Sequence, residues 1–76
     1  MTKYDVVTWE EEGTWTAHAP AISGAYGLGA TPEEAEKDLV EAANLLFEDM
    51  AKANLPPPPP RKVRVSHLRI GSGNHR

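Results

Sequence analysis

The sequence predicts an α+β fold of two layers, in the order strand, strand, strand, helix, strand. A small antiparallel or mixed sheet is expected to carry one helix on one face. Three observations lead there. "KYDVVTW" and "TWTAHAP" are rich in β-branched and aromatic residues and flank the turn "EEEG". "TPEEAEKDLVEAANLLFEDMAKAN" repeats apolar residues at helical spacing. "KVRVSHLRI" returns to strand-like alternation after five prolines. With 76 residues and no cysteine, the chain is read as one domain over residues 1–70 and a flexible tail over 71–76. The core of so small a domain seldom supplies more than about 3–5 kcal/mol. Neither a disulfide nor a thiolate metal site can add to it. Assembly into a homodimer or higher oligomer is the expected extra source of stability.

Each element has its own signals. If Glu11, Glu12 and Gly13 form the loop between the first two strands, Trp9 and Trp15 face each other across the hairpin. Pro20 stops the second strand and "PAISG" turns the chain. "AYGLGA" reads as a short third strand in which Gly27 and Gly29 mark either a bend or the close approach of another backbone. Thr31 is a fitting N-cap, Pro32 suits the first helical position, and Glu34 completes a capping box. Glu33, Glu34, Glu36 and Asp38 crowd the positive end of the helix dipole. Ala35, Leu39, Ala42, Leu46, Met50 and Ala53 form one apolar face, which Val40, Ala43, Phe47 and Ala51 widen. So broad a face suits a sheet and also a second subunit. Asn54 can take a left-handed conformation at the helix end, and Pro56 forbids continuation. Residues 56–60 form a stiff polyproline II spacer, about 15 Å long at roughly 3.1 Å per residue. The last strand alternates at Val63 and Val65, then changes phase to Leu68 and Ile70, with a bulge near His67. Held away from its own helix by the prolines, it is expected to pair with another subunit. Val63, Val65, Leu68, Ile70 and Phe47 are the candidate oligomer interface.

Charge divides the chain. Residues 1–55 hold all eleven acids against three lysines, a balance of −8. Residues 56–76 hold five basic groups and no acid, a balance of +5. An acidic body suits a basic protein partner, and a basic tail suits an anionic one or the body itself.

The chemistry that the sequence excludes is as informative. Gly24, Gly27 and Gly29 precede a helix, as in a phosphate cradle, but their spacing fits neither a dinucleotide fingerprint nor a P-loop. The carboxylates at that helix start would repel phosphate. His18, His67 and His75 are too dispersed to ligate a metal. Asp5 could open a ribonuclease-H-type metal site, but no convergent acids accompany it. No nucleophile–base–acid set is legible, so neither catalysis nor a cofactor is expected. Arg61, Lys62, Arg64 and Arg69 are the candidates for a nucleic-acid contact, a weak footprint beside an acidic body and without interleaved aromatics. No secretory leader or membrane-length apolar stretch is present, so a cytoplasmic setting is expected. The chain has no glutamine, as in sequences selected against heat-labile residues.

Taken in order, several phrases resemble the HicB-like antitoxin family. They are "YDVV", the pattern Gly13-x-Trp15-x-Ala17-x-x-Pro20, Gly24 four residues later, the Gly29–Thr31 step, "PEEAEKDL", and Leu55-Pro56 after the helix. The turn Pro20-Ala21-Ile22-Ser23-Gly24 departs from the family's Pro-Asp-Leu-Pro-Gly, and Ala25 stands where a cysteine is common. The resemblance implies a β-β-β-α-β domain, a partial ribonuclease-H-like layer without catalytic acids, assembled as oligomers. It implies a small basic RNA-cleaving toxin of the HicA kind as partner. Many members continue into a DNA-binding domain, for which residues 1–76 have no segment, so repressor activity is not implied. An acidic body is what masking a cationic RNA-binding surface requires. Glu10, Glu11, Glu12, Glu33, Glu34 and Glu41 are the expected partner-binding residues. A nucleic-acid accessory role for the basic strand, or an orphan oligomeric scaffold, are the alternatives.

Overall fold

A computed structural model describes residues 2–71 of the chain. Three strands, β1 (Val7–Glu11), β2 (Thr14–His18) and β3 (Tyr26–Gly29), form an antiparallel sheet in the order β1-β2-β3. One helix, α1 (Pro32–Lys52), packs on one face of it. The α+β class is therefore as the sequence predicts.

The hairpin register is not. Glu12 (φ 51°) and Gly13 (φ 84°) alone make the turn, and positive φ at both positions is the mark of a type I′ hairpin. The loop is one residue shorter than expected, and β1 runs to Glu11. Trp9 consequently lies opposite Thr16, and Glu10 opposite Trp15. A one-residue slip moves every side chain to the other face. The two tryptophans therefore lie on opposite sides of the sheet, and the expected Trp9–Trp15 pair does not form. Trp15 packs on the core, and Trp9 donates from Nε1 to Glu11 Oε1 at 3.2 Å on the outer face.

The glycines of β3 are explained by the helix. Gly27 and Gly29 lie opposite Ala17 and Trp15, on the face where α1 sits. A Cβ on Gly27 would overlap the Ala35 carbonyl oxygen and lie 2.9 Å from Leu39 Cα. One on Gly29 would lie 2.6 Å from Glu34 Cβ and 2.7 Å from the Ala35 nitrogen. Of the two readings of these glycines, close backbone approach holds. Helix and strand touch main chain to main chain.

Both helix ends are built as the sequence suggests. Thr31 Oγ1 accepts from Glu34 N at 3.1 Å, and Glu34 Oε1 accepts from Ala30 N at 3.0 Å. The return bond thus reaches one residue beyond the usual capping-box target, the N-cap N–H. At the other end Asn54 adopts φ 60°, Asn54 N donates to Ala51 O at 3.0 Å, and Leu55 N to Met50 O at 2.8 Å. That pair of bonds is a Schellman motif. Asn tolerates this backbone region better than alanine does, and glycine better still. Replacing Asn54 with Ala should cost about 1 kcal/mol, and Asn54→Gly should be neutral or stabilising. Thermal unfolding of the two variants checks the sign.

The core is thin. Among the described residues Ile22 and Leu39 are its only large members, packed among Ala17, Ala19, Ala25, Ala35 and Ala43, with Tyr4, Trp15, Leu46 and Phe47 half-buried around them. Alanines permit the close helix–sheet approach but bury little apolar area each.

Among the described residues the expected fourth strand does not form. Residues 56–71 carry no regular secondary structure. The polyproline segment is tied down where Tyr4 Oη donates to Pro58 O at 2.6 Å. Val63 N then donates to the Asp5 carboxylate at 2.9 Å. After Val63 the chain leaves the body as an arm, so no bulge at His67 exists to be judged. The radius of gyration is 15.7 Å, whereas a compact domain of this length has about 11 Å. The physical reason is that a strand needs a neighbour for its hydrogen bonds, and the spacer directs this one away from its own sheet. Of the expected tail, 72–76, with His75 and Arg76, lies outside the described residues.

Candidate functional site

The six acids singled out from the sequence are all exposed, but they do not form one surface. Cross-strand pairing places Glu10 on the helix side of the hairpin and Glu11 on the outer side, with Glu12 at the tip. Successive helical side chains are about 100° apart. Glu34 and Glu41, seven residues apart, therefore share one flank of α1, and Glu33 lies on the other. Asp38, four residues after Glu34, belongs to the first flank; the sequence marked it only as an acid near the helix start and not as a site residue. There Asp38 Oδ2 accepts from the outward N–H of Leu28 at 3.0 Å, which occupies one main-chain donor on the free edge of β3. Its signal was available in the helical spacing of 34, 38 and 41. Glu34 is committed to the helix cap and Glu11 to Trp9, which leaves Glu10, Glu12, Glu33 and Glu41 with carboxylates free of those bonds.

Two apolar surfaces accompany these charges. On the outer face of the sheet, Trp9, Tyr26 and Leu28 are exposed, and the His18 ring stacks on Tyr26 with centroids 4.4 Å apart. His18 Nδ1 lies 3.3 Å from Ala25 O, so the ring is oriented by the turn before β3. On the helix side, a groove of about 470 Å³ lies between the N-terminal segment and α1. Tyr4, Val6, Ile22, Leu39, Val40 and Phe47 line it. Tyr4 and Phe47 meet there with ring centroids 6.1 Å apart. Val40, which only widened the apolar face in the sequence, is 58% exposed at its rim.

The arm carries the candidate interface and nucleic-acid residues. Val65, Leu68 and Ile70 are 71%, 83% and 81% exposed, whereas Val63 is half-buried against the N-terminal segment. Arg61, Lys62, Arg64 and Arg69 are all exposed on the same stretch. Phe47, the fifth interface candidate, lies in the groove and away from the rest of that set.

Among the described residues, no three His, Cys, Asp or Glu side chains come together as a metal-binding group. Also among them, no helix is long and apolar enough to cross a membrane. Asp5, read from the sequence as an acid of the first strand, precedes β1 and accepts from the Val63 N–H.

Compared with protein-family models, curated proteins and solved structures, the chain finds no significant match.

Proposed function

We propose that the chain is a non-catalytic protein-binding domain of the HicB-like antitoxin kind, which neutralises a small basic RNA-cleaving protein by covering its cationic face. The observation that carries this reading is the charge layout, a body of balance −8 whose candidate acids are exposed on the hairpin and on both flanks of the helix. Such a field accelerates encounter with a basic partner and repels RNA from the same surface. The order of family-like phrases in the sequence supplies the identity of the partner class.

The decisive experiment inspects the adjacent gene: a short basic reading frame there favours this reading, and its product is the partner to test. Co-expressed, the two proteins should co-purify, and the complex should lack the RNA cleavage of the free partner. Reversing charge at Glu10, Glu12, Glu33 and Glu41 spares the helix cap. It should lower the association rate by about 10-fold or more at low salt and flatten its salt dependence. Association unchanged by the reversals would remove these residues from the interface, and a basic neighbour that ignores the protein would remove the antitoxin reading.

The same reading includes assembly. The arm over residues 61–71 becomes a strand only on a second subunit, exchanged between copies of the chain. The solvent-exposed Val65, Leu68 and Ile70 support this, because a single chain gains nothing by presenting three aliphatic side chains to water.

A further inference from the structure

We infer that the groove between the N-terminal segment and α1 is the acceptor for the arm of a second copy of this chain, with the arm lying along the outer edge of β1. The inference rests on the exchange reading above and adds where the arm lands.

Four features of the molecule point to that surface. The sheet has two edges, β1 and β3, and the Asp38 carboxylate occupies the outward N–H of Leu28 on β3. The β1 edge is the one left for strand addition. A strand placed there turns alternate side chains to the helix side, directly over the groove beside Tyr4 and Val6. The groove is apolar, and Val40 at its rim is 58% exposed. The arm presents the matching chemistry in Val65, Leu68 and Ile70.

Charge agrees with the apolar match. Arg61, Lys62, Arg64 and Arg69 accompany the arm's aliphatic residues, and no acid interrupts them. On the same flank of α1 as Val40 and Phe47 stand Glu33 and Glu36. A like-charged partner would be repelled there, and this arm is attracted. Geometry closes the assembly. The arm leaves its own body beside the groove, where Tyr4 holds Pro58 and Asp5 holds Val63. A two-fold axis beside that exit lets each arm enter the other chain's groove, the self-complementary arrangement of a closed dimer. The rigid prolines bar the arm from folding back into the groove it has just passed.

The chain has no cysteine, so introduced thiols report position without interference. Val40→Cys chains are mixed with Leu68→Cys chains of a different tag length, and oxidised. Val40→Cys chains are mixed in the same way with Val65→Cys chains. Leu45→Cys, an exposed position on the opposite flank of α1, serves as the control acceptor. The expected result is a mixed-length disulfide dimer with Val40→Cys and none with Leu45→Cys, formed less readily at high salt. A light-scattering mass of a dimer for the unmodified protein, with cross-links to Leu45→Cys or to neither position, overturns the groove and leaves the exchange standing. A monomer at micromolar concentration overturns both. A Val40→Cys/Leu68→Cys double variant that closes within one chain also overturns the inference, because the arm then fills its own groove. Val40→Glu, a surface change in the single chain, should raise the dimer dissociation constant at least 10-fold without loss of helix content.

Discussion

Replacing Gly27 with alanine is expected to unfold the protein or leave it with a loosened, poorly cooperative core. The methyl group would enter the space of the Ala35 carbonyl oxygen and come within 2.9 Å of Leu39 Cα. Neither obstacle is the end of a flexible side chain, so relief requires α1 to move off the sheet. Overpacking of this kind typically costs 1–3 kcal/mol and occasionally more, roughly the size of what so small a core supplies. The loss is compounded because the buried contacts are mostly alanine against backbone, and a helix displaced by a fraction of an ångström forfeits many of them together. Gly29→Ala should act in the same direction and also disturb the cap, since its methyl would press on Glu34 Cβ. Gly24→Ala provides the contrast. At φ 89°, with open space around its missing side chain, it should cost only about 1 kcal/mol of backbone strain. Circular dichroism and thermal melting of the three variants would order them Gly27, Gly29, Gly24. A Gly27→Ala protein that melts where the parent does would show that α1 does not rest on β3.

The triple replacement of Val65, Leu68 and Ile70 by serine is the second change with a large expected effect. In an isolated chain these side chains are 71–83% exposed, and surface substitutions of that kind usually stay within about 0.5 kcal/mol. Burial in a partner is worth about 1.5–3 kcal/mol for each large aliphatic side chain. The exchanged assembly therefore predicts several kcal/mol of lost stability, a shift from dimer to monomer by light scattering, and a melting temperature that no longer rises with protein concentration. Unchanged mass and melting would show that the arm is solvated in the assembly as well. The thinness of the single-chain core gives this test its leverage. With Ile22 and Leu39 as the large buried residues of a core otherwise made of alanine, the domain has little stability of its own to hide the loss.

How much was legible depended on whether the deciding interaction was local. Thr31, Pro32 and Glu34 announce the helix start because cap bonds join residues three or four apart, and Asn54 announces its end for the same reason. The glycines of β3 announced either a bend or a close approach, without choosing. Only the packed helix identifies Ala35 and Leu39 as the obstacles. The tryptophans were misplaced because a hairpin's register hangs on one residue of loop length. "EEEG" is compatible with a two- or three-residue turn, and the choice flips the faces of Trp9 and Trp15. The acids were legible as charges but not as a surface. Cross-strand pairing and helical phase separate Glu10 from Glu11 and Glu33 from Glu34, and bring in Asp38. The last strand was legible as a pattern of side chains, yet a strand exists only when a neighbour accepts its hydrogen bonds.

The sequence by itself determined the α+β class, the limits of α1, and the split between acidic body and basic arm. Each follows from propensity, capping or charge, properties that residues carry within a few positions of one another. Only the tertiary structure decided which face each tryptophan takes, that backbone approach accounts for Gly27 and Gly29, that Asp38 occupies a donor on one sheet edge, and that an apolar groove opens beside the other. It also decided that Val65, Leu68 and Ile70 are left in water. Those outcomes belong to pairs of elements distant in sequence, where one residue of register or one side chain on an edge selects among arrangements that local preferences treat as equal.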